Sequence, residues 1–207
     1  MQRRADAVAR GVAGRCRGRV RCFLAIPLRP PALDTAQRIL ARLREDVPAV
    51  RWARPETLHL TVHFFGAIDD GRVAAALRAV EPAVAGARPF EVSVGRLGAF
   101  PERGWPRVLW LGSTNESAEL TAFAADAREL LRGAGFPVDE RPFRAHATLG
   151  RPRVPWPAGA RDAWRAAVSG GVPESRFTAD RTVLFESKTG REAAVYLERA
   201  TLPFGGG

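Results

Sequence analysis

The spacing of apolar residues predicts a chain that alternates between strands and helices. After residue 20, the run RCFLAIPL is short, apolar and closed by proline, which is typical of a buried strand. Pro30 and Pro31 then lead into a segment whose apolar residues recur at helical spacing, namely Leu33, Ala36, Ile39, Leu40 and Leu43. The chain therefore opens with a strand followed by a helix.

The segment Thr57–Phe65 alternates between apolar and polar residues and is predicted to be a strand. Strict alternation places Leu58, Leu60, Val62 and Phe64 on one face and Thr57, His59, Thr61, His63 and Phe65 on the other. We expect further strands at 50–53, 90–94, 107–111, 143–149, 176–187 and 193–202, and helices at 69–86, 114–133 and 162–168. Residues 95–106 and 151–159 are predicted to be loops.

The element order strand, helix, strand occurs twice, which indicates two lobes related by a pseudo-twofold axis. The closing strand pair implies antiparallel pairing, so we predict an α+β fold. The chain has 207 residues, of which 46% are hydrophobic and 26% charged, which is typical of a globular protein. Residues 21–207 are expected to form a single bilobal domain. No apolar run reaches the roughly 18 residues that a membrane span needs, so we expect no membrane partner.

Charge adds a first indication of ligand chemistry, because 32 basic and 22 acidic residues give a net charge of +10. Arginine suits phosphate, which favours nucleic acid or a nucleotide as partner, although an arginine-rich coding bias would give the same excess. Residues 1–20 carry six arginines and one aspartate and are predicted to be a disordered extension, with an organelle transit peptide or residues translated from a start placed too far upstream as the alternatives. Two cysteines are too few for a disulfide framework, and the start lacks a secretory signal, so we expect a cytoplasmic monomer.

Two short motifs stand in the same frame, His59-Leu60-Thr61-Val62 and His146-Ala147-Thr148-Leu149. In a strand, residues i and i+2 share a face, so each motif projects an imidazole and a hydroxyl side by side, about 6 to 7 Å apart at the backbone. If the two lobes pack face to face, these four side chains meet in one cleft. A single such motif is commonly structural, whereas two copies on polar faces favour a site.

Two imidazoles can divide the proton transfers of a phosphoryl displacement, one activating water and the other protonating the departing oxygen. The two threonine hydroxyls can donate to the phosphate oxygens, so we expect neither a metal nor a cofactor. His63 is predicted to lie on the His59 face as a rim residue and candidate substrate contact. Zinc binding by His59 and His63 is disfavoured, because four strand residues separate their rings by roughly 13 Å.

These motifs, with RWARPETLHLT, RCFLAIPL, RPFRAHATLGR and LFESKTGREAAVYLERATLPF, resemble the RNA 2′,3′-cyclic phosphodiesterases, or 2′-5′ RNA ligases, of the 2H phosphoesterase superfamily. The resemblance runs from about Arg21 to Phe204. It implies a bilobal α+β fold in which each lobe is an antiparallel sheet with helices outside and both motifs line the cleft between the lobes. It further implies hydrolysis of a cyclic phosphate at RNA 3′ ends.

Carried over by position, the resemblance makes His59 the proton donor to the leaving 3′ oxygen and His146 the proton acceptor. Thr61, Thr148 and Arg151 would then bind the phosphate. Ala145 and Ala147 depart from the family pattern around the second histidine, which leaves loop detail open.

Aromatic side chains are candidates for stacking on bases. Trp105 and Trp156 lie in loops and are expected to contact substrate, whereas Phe23 and Trp52 lie in strand-like runs and are expected to pack in the core.

Two alternatives to RNA hydrolysis remain open from the sequence. The same site would suit a small cyclic nucleotide, a nucleotide-derived cyclic phosphate or a 2′-5′ oligonucleotide. Alternatively, the chain would be an RNA-binding module whose hydrolase or ligase activity is incidental.

Overall fold

The computed structural model describes residues 18–153, 156–188 and 194–205. Residues 1–17, most of the predicted extension, lie outside the described residues, as does most of the predicted turn at 188–191. The strands are β1 (Val20–Pro27), β2 (Val50–Trp52), β3 (His59–Ile68), β4 (Phe90–Val94), β5 (Arg96–Phe100), β6 (Val108–Gly112), β7 (His146–Pro152), β8 (Ser175–Ala179), β9 (Arg181–Lys188) and β10 (Val195–Pro203). The helices are α1 (Ala32–Asp46), α2 (Asp70–Gly86), α3 (Ala118–Gly133) and α4 (Ala158–Gly170).

Local signals explain where two of the helices begin. Asp69 caps α2, and its carboxylate accepts a hydrogen bond from the Arg72 backbone N–H. Ser117 caps α3, and its hydroxyl accepts from the Leu120 N–H. Both caps satisfy backbone donors that the first turn of a helix leaves without an internal partner. No helix among the described residues is long and apolar enough to cross a membrane.

Antiparallel pairing runs through all the described strands. The large sheet has the order β10-β9-β1-β3-β7-β6-β5, with β2 added beside β7, and β4 pairs with β8 in a second, two-stranded sheet. The predicted α+β fold with antiparallel strands is confirmed. The resemblance implied a separate antiparallel sheet in each lobe. The strands of both halves instead form one continuous sheet, because β3 pairs with β7 at Leu60 and Ala147.

The main hydrophobic core packs one face of the large sheet against the apolar sides of all four helices. A smaller cluster lies on the other face and consists of Phe23, Ala25, Val183 and Phe185, with Tyr196 against it. The buried apolar residues of the helices belong to the main core alone, so the helices pack on one face of the large sheet and leave the second face uncovered by them.

Register shifts in β3 correct the predicted alternation. Opposite β1, Ala25 pairs with Thr61 and Leu24 pairs with His63, which leaves Val62 as an extra residue in a bulge. A bulge of this kind turns the following side chain to the opposite face. His63 is therefore buried on the core side, 5% exposed, and Phe64 faces outward. The predictions that His63 shares the face of His59 and that Phe64 opposes it are wrong for this reason.

The second motif contains a shift at the equivalent position. Between β6 and β7, Leu109 pairs with Gly150 and Trp110 with Thr148, so Leu149 is the extra residue. The seven residues that begin β3 and the seven of β7 show the same order of buried, partly buried and exposed positions. Phe64 and Arg151 occupy matching exposed places.

Two further elements differ from the predictions. β5 lies inside the predicted loop 95–106, where Gly98 leaves room for the Trp110 indole above it. The predicted strand 176–187 is divided at Asp180 into β8, which pairs with β4, and β9, which pairs with β1. Glycine and aspartate are depleted in strands, so neither feature follows from propensity.

Candidate active site

A cavity of about 660 Å³ opens on the face of the large sheet that carries the smaller cluster. Its floor is formed by residues of β1, β3 and β7, including His59, Thr61 and Thr148. The other described lining residues are Arg21, Phe23, Arg51, Trp52, Ala53, Arg54, Thr57, Phe64, Gly150, Arg151, Ser187, Ala194 and Tyr196. Four of these are arginines, and no described lining residue is acidic.

The pairing of β3 with β7 brings the two motifs together. Leu60 is opposite Ala147, and extending that antiparallel register by one residue in each direction sets His59 opposite Thr148 and Thr61 opposite His146. The observed pairing consists of the one residue pair Leu60–Ala147, which brings the two His-x-Thr segments side by side. The meeting of all four side chains in one cleft stays a prediction.

Both imidazoles are oriented by the same backbone contact. His59 Nδ1 donates to the carbonyl of Thr57 and His146 Nδ1 donates to the carbonyl of Arg144, each over 2.7 Å. A carbonyl oxygen only accepts, so Nδ1 carries the hydrogen in both rings. Nε2 of each ring is then the nitrogen that gives or takes a proton.

Burial lowers the pKa of both histidines. Desolvation lowers the pKa of His59 to about 4, opposed by its hydrogen bond to Thr57 and assisted by the nearby charge of His146. The pKa of His146 is also lowered, first by burial and further by Arg151, against the hydrogen bond to Arg144. Both rings are therefore neutral near pH 7 in the ligand-free protein, and a bound anion would favour the imidazolium.

Aromatic rings hold the two histidines from different sides. The Phe23 ring stacks on His59 with centroids 4.7 Å apart, and Tyr196 meets His59 edge-on at 5.2 Å. Phe100 meets His146 edge-on at 5.0 Å, and the Trp110 ring lies 6.4 Å away. These contacts restrict ring rotation and account for the desolvation.

Three of the predicted contact residues lie away from the cavity. His63 is buried against Phe65, and Trp156 is 2% exposed in the main core, where its Nε1 donates to the Pro48 carbonyl. Trp105 is 50% exposed, but it lies under Arg161, 4.9 Å from the guanidinium, and not among the described lining residues of this cavity. The predicted substrate contact by Trp156 is wrong, because core packing occupies its ring.

Several lining residues were not predicted to belong to the site. Trp52 and Phe23 were assigned to the core, yet both line the cavity, and Phe23 is buried there as well. Phe64 is 49% exposed, with the Arg21 guanidinium 5.2 Å from its ring centroid. Only the β3 bulge brings Phe64 to this face, so simple alternation could not have found it.

The side chains in and beside this cavity include groups that can transfer protons to and from a bound anion. His59, Thr61, Thr148 and four arginines surround one space, and His146, although it is not among the described lining residues, is near enough for its charge to lower the pKa of His59. Among residues 18–153, 156–188 and 194–205, no three His, Cys, Asp or Glu side chains are grouped in a way that could hold a metal ion. Imidazole and hydroxyl groups beside several guanidinium groups suit acid-base chemistry at a bound anion.

Comparison of the sequence with protein families gives one match that covers most of the chain. Residues 24–191 match the 2'-5' RNA ligase superfamily. An RNA 2',3'-cyclic phosphodiesterase from Thermotoga maritima is 26% identical over 189 residues, 91% of this chain and 97% of that protein. One from Methanothermobacter thermautotrophicus is 32% identical over 137 residues, 66% of this chain and 73% of that protein.

A third relative is longer than this chain. The RNA 2',3'-cyclic phosphodiesterase of Geobacillus stearothermophilus is 33% identical over 129 residues, 62% of this chain, and the match spans 41% of that protein.

Solved structures show the same fold. A protein of Thermus thermophilus gives a TM-score of 0.72 at 21% identity, covering 90% of this chain and 98% of its own. Escherichia coli LigT, determined with 3'-AMP, gives 0.68 at 21% identity with the same coverage.

Proposed function

Because this chain belongs to the 2'-5' RNA ligase superfamily, we propose that it hydrolyses a 2′,3′-cyclic phosphate at the 3′ end of RNA to a 2′-phosphate. Its relatives from Thermotoga maritima and Methanothermobacter thermautotrophicus carry the name of that activity. The observation that carries the proposal is the matching orientation of two imidazoles on the paired strands β3 and β7, each with Nδ1 bound to the carbonyl two residues earlier, where His59, Thr61 and Thr148 line one cavity.

Hydrolysis breaks the bond from phosphorus to O3′ and forms one to a water oxygen. In our proposal, neutral His146 accepts the proton of the attacking water at Nε2. Protonated His59 gives the proton at its Nε2 to O3′ as that oxygen leaves. The two protons balance, and the histidines end with exchanged protonation states, which solvent restores. The same displacement, with the 5′-hydroxyl of a second RNA as nucleophile in place of water and O3′ again leaving, would join the two RNAs by a 2′-5′ phosphodiester.

Thr61 and Thr148 hold the scissile phosphate by donating from their hydroxyls to its non-bridging oxygens, where negative charge increases in the transition state. Arg151 adds positive charge near His146. The anionic substrate itself raises the pKa of the histidine that must act as acid, against the effect of burial. Substrate binding therefore prepares the protonation state that the reaction needs.

We extend the proposal to the organisation of the chain. The Leu60–Ala147 pair would mark a pseudo-twofold axis relating two lobes within residues 21–207. The described core residues run from Cys22 to Phe204, which supports a single domain. The predicted boundary after residue 20 is wrong, because Val20 is the first residue of β1 and pairs with Ile68.

The test is turnover of an oligoribonucleotide that ends in a 2′,3′-cyclic phosphate, in the presence of EDTA, with the product phosphate located by mass spectrometry and ³¹P NMR. A 2′-phosphate product is expected, and His59→Ala or His146→Ala should each lower the rate roughly 10²- to 10⁴-fold. Arg88→Ala, at an exposed site between α2 and β4, serves as the control and should keep the native rate.

Binding of the RNA without turnover would favour an RNA-binding module. Turnover of only the cyclic mononucleotide would favour a small-nucleotide substrate. Activity lost on chelation and restored by one divalent ion would contradict the metal-free mechanism.

A further inference from the structure

One guanidinium group of α3 contacts the chain next to both His-x-Thr motifs. Arg128 Nε donates to the Val62 carbonyl of β3 over 3.2 Å. Its Nη1 donates to the Arg141 carbonyl over 3.3 Å, and its Cζ lies 5.2 Å from the centroid of the Phe143 ring. Val62 is the last residue of the first motif, and Phe143 lies three residues before the second. Arg128 therefore links the end of one motif to the approach to the other.

The Val62 carbonyl lies in the bulge of β3 and needs a donor from outside the sheet. Among the pairings of the described strands, Val62 has no register partner in β1 or in β7. The residue is also fully buried, and a buried backbone carbonyl without a donor is costly. The guanidinium of Arg128 supplies that donor and so holds the bulge in place from the side of the helices.

The segment before the second motif lacks regular structure. Residues 137–145 form neither a helix nor a strand, so no backbone ladder sets their position. Ion pairs attach the segment at Glu140 and Arg144, but all four side chains of these pairs are exposed, and exposed pairs contribute little. The contacts of Arg128 differ, because this side chain is partly buried and joins the segment to β3.

This segment carries the carbonyl that orients the second imidazole. The Arg144 carbonyl accepts the hydrogen of His146 Nδ1, and Arg144 directly follows Phe143, whose ring contacts the Arg128 guanidinium. The equivalent acceptor of His59 is the carbonyl of Thr57, which belongs to the single helical turn Pro55–Thr57. The acceptor of His146 thus depends on side-chain contacts, whereas that of His59 is fixed by local backbone structure.

We propose that Arg128 is a positioning residue that holds the Arg144 carbonyl, and through it the His146 ring, in the direction that the attacking water requires. The inference rests on the proposed phosphodiesterase activity and adds to it a residue that is not among the described lining residues of the cavity. A His146 ring released from this carbonyl can carry its hydrogen on Nε2, and that tautomer has no free Nε2 to accept the proton of water. Arg128 thus selects the tautomer of the proposed base.

Nuclear magnetic resonance of the three histidines, labelled with ¹⁵N, tests this without turnover. At pH 8, where the imidazoles are neutral, we expect the native His146 to carry its hydrogen on Nδ1. Arg128→Gln should produce a mixture of the two tautomers at His146. His59 should stay in the Nδ1–H form, because Arg128 does not hold the Thr57 carbonyl. Spectra of His59→Ala and His146→Ala assign the signals.

Turnover of an oligoribonucleotide that ends in a 2′,3′-cyclic phosphate gives the second readout. Arg128→Gln should lower kcat roughly 10- to 100-fold, the range expected for a misplaced catalytic group. KM should change much less, because Arg128 lies outside the described lining of the cavity. Arg128→Lys keeps a positive charge but not the planar guanidinium fork, so it should recover part of the lost rate.

Arg72 offers a matched control on the same connection between α3 and β7. Its Nη2 donates to the Gly135 carbonyl over 2.9 Å, and its Cζ lies 3.7 Å from the centroid of the Phe136 ring. These contacts are of the same kind as those of Arg128, but they do not reach β3 or the Arg144 carbonyl. Arg72→Gln should therefore lower the free energy of unfolding in urea and still keep the native kcat and the native His146 tautomer.

A native His146 tautomer in Arg128→Gln would overturn the proposal even if the rate fell, since the effect would then be one of stability alone. So would the same mixture of tautomers in Arg72→Gln. If Arg128→Gln does not fold, Arg128→Lys decides, and a fully native tautomer and kcat in that variant would overturn the proposal. If the native protein hydrolyses no cyclic phosphate, the proposed function fails, and the tautomer in Arg128→Gln still decides whether Arg128 positions His146.

Discussion

Of the three histidines, His59 and His63 lie on β3, and His146 lies on β7 in the copy of the His59 motif. Their surroundings give them different chemistry. His59 and His146 each donate from Nδ1 to a carbonyl two residues earlier, and His59 lines the cavity. His63 lies in the core, and its Nε2 is buried without a hydrogen-bond partner among the described residues. Residue type and spacing predict from the sequence that His59 and His146 act as a pair. The position of His63 depended on a bulge that the alternating pattern does not reveal.

The lowered pKa values of His59 and His146 predict an acid-shifted pH profile. Productive free enzyme needs one imidazolium and one neutral imidazole, and burial brings both pKa values below the ordinary 6.5. The pH dependence of kcat/KM reports the pKa values of the acid and base in the free enzyme. We therefore expect kcat/KM to fall as the pH rises through 7, with a slope that approaches a tenfold loss for each pH unit. The falling limb of kcat should lie at higher pH, because the bound anion favours the imidazolium. A kcat/KM that rises through pH 7 would contradict this.

The division of labour between the two histidines is testable with a substrate whose leaving group needs no proton. On an aryl phosphodiester, His59→Ala should lose far less activity than on the cyclic phosphate. His146→Ala should remain impaired on both, because water still needs its base. The converse pattern would exchange the roles, and equal defects on both substrates would exclude this simple division.

Burial of His63 should make the protein less stable in acid. Its pKa is lowered to about 4, first by desolvation and then by Arg128. Below pH 6.5 the unfolded chain takes up a proton that the folded protein refuses, so stability falls as the pH drops to 4, by up to about 3 kcal/mol. Urea unfolding of His63→Leu at pH 7 and pH 4.5 should show a smaller loss than the native protein shows. If His63→Leu left the pH dependence of the free energy of unfolding unchanged, His63 would take up its proton in the folded protein as readily as in the unfolded chain, and the prediction would be wrong.

At the scale of elements, the two bulges matter more to the site than the strands that contain them. Each follows its His-x-Thr segment and turns the next exposed residue, Phe64 or Arg151, to the cavity. The strands themselves were predictable from alternation. The bulges were not, because an extra residue depends on the register of the neighbouring strand, as at β1 for Val62.

Gly98 of β5 gives a testable prediction about how the His146 ring is supported. A Cβ at Gly98 would lie 2.1 Å from the Trp110 ring, and Trp110 with Phe100 packs beside His146. Gly98→Ala should therefore lower the free energy of unfolding by about 1 to 3 kcal/mol and reduce kcat/KM by displacing the His146 ring. Gly86→Ala, at the end of α2 where no atom lies within 4 Å, is the matched control and should be neutral or slightly stabilising. Equal effects of the two substitutions in urea unfolding would refute this role for Gly98.

At the scale of the molecule, the order of elements predicted the fold class but not how the halves connect. Antiparallel pairing and the repeated strand-helix unit followed from apolar periodicity. The union of the two halves at Leu60 and Ala147, and the assignment of β8 and β9 to different sheets, did not. Such pairings join residues far apart in sequence, where local propensity carries no information. For the same reason, the sequence showed Arg128 as a residue of the predicted helix 114–133 and not as a link between the two motifs.

Tyr196, which meets the His59 ring edge-on, also makes the site accessible to spectroscopy. It is the only tyrosine of the chain, so biosynthetic incorporation of 3-fluorotyrosine would give a single ¹⁹F resonance, located beside the His59 ring. Burial raises the pKa of the Tyr196 phenol above its ordinary value of 10, which keeps the native side chain neutral while the histidines titrate. With the lower phenol pKa of the fluorinated ring checked separately, a shift of this resonance between pH 4 and 7 would follow the charge on His59 directly.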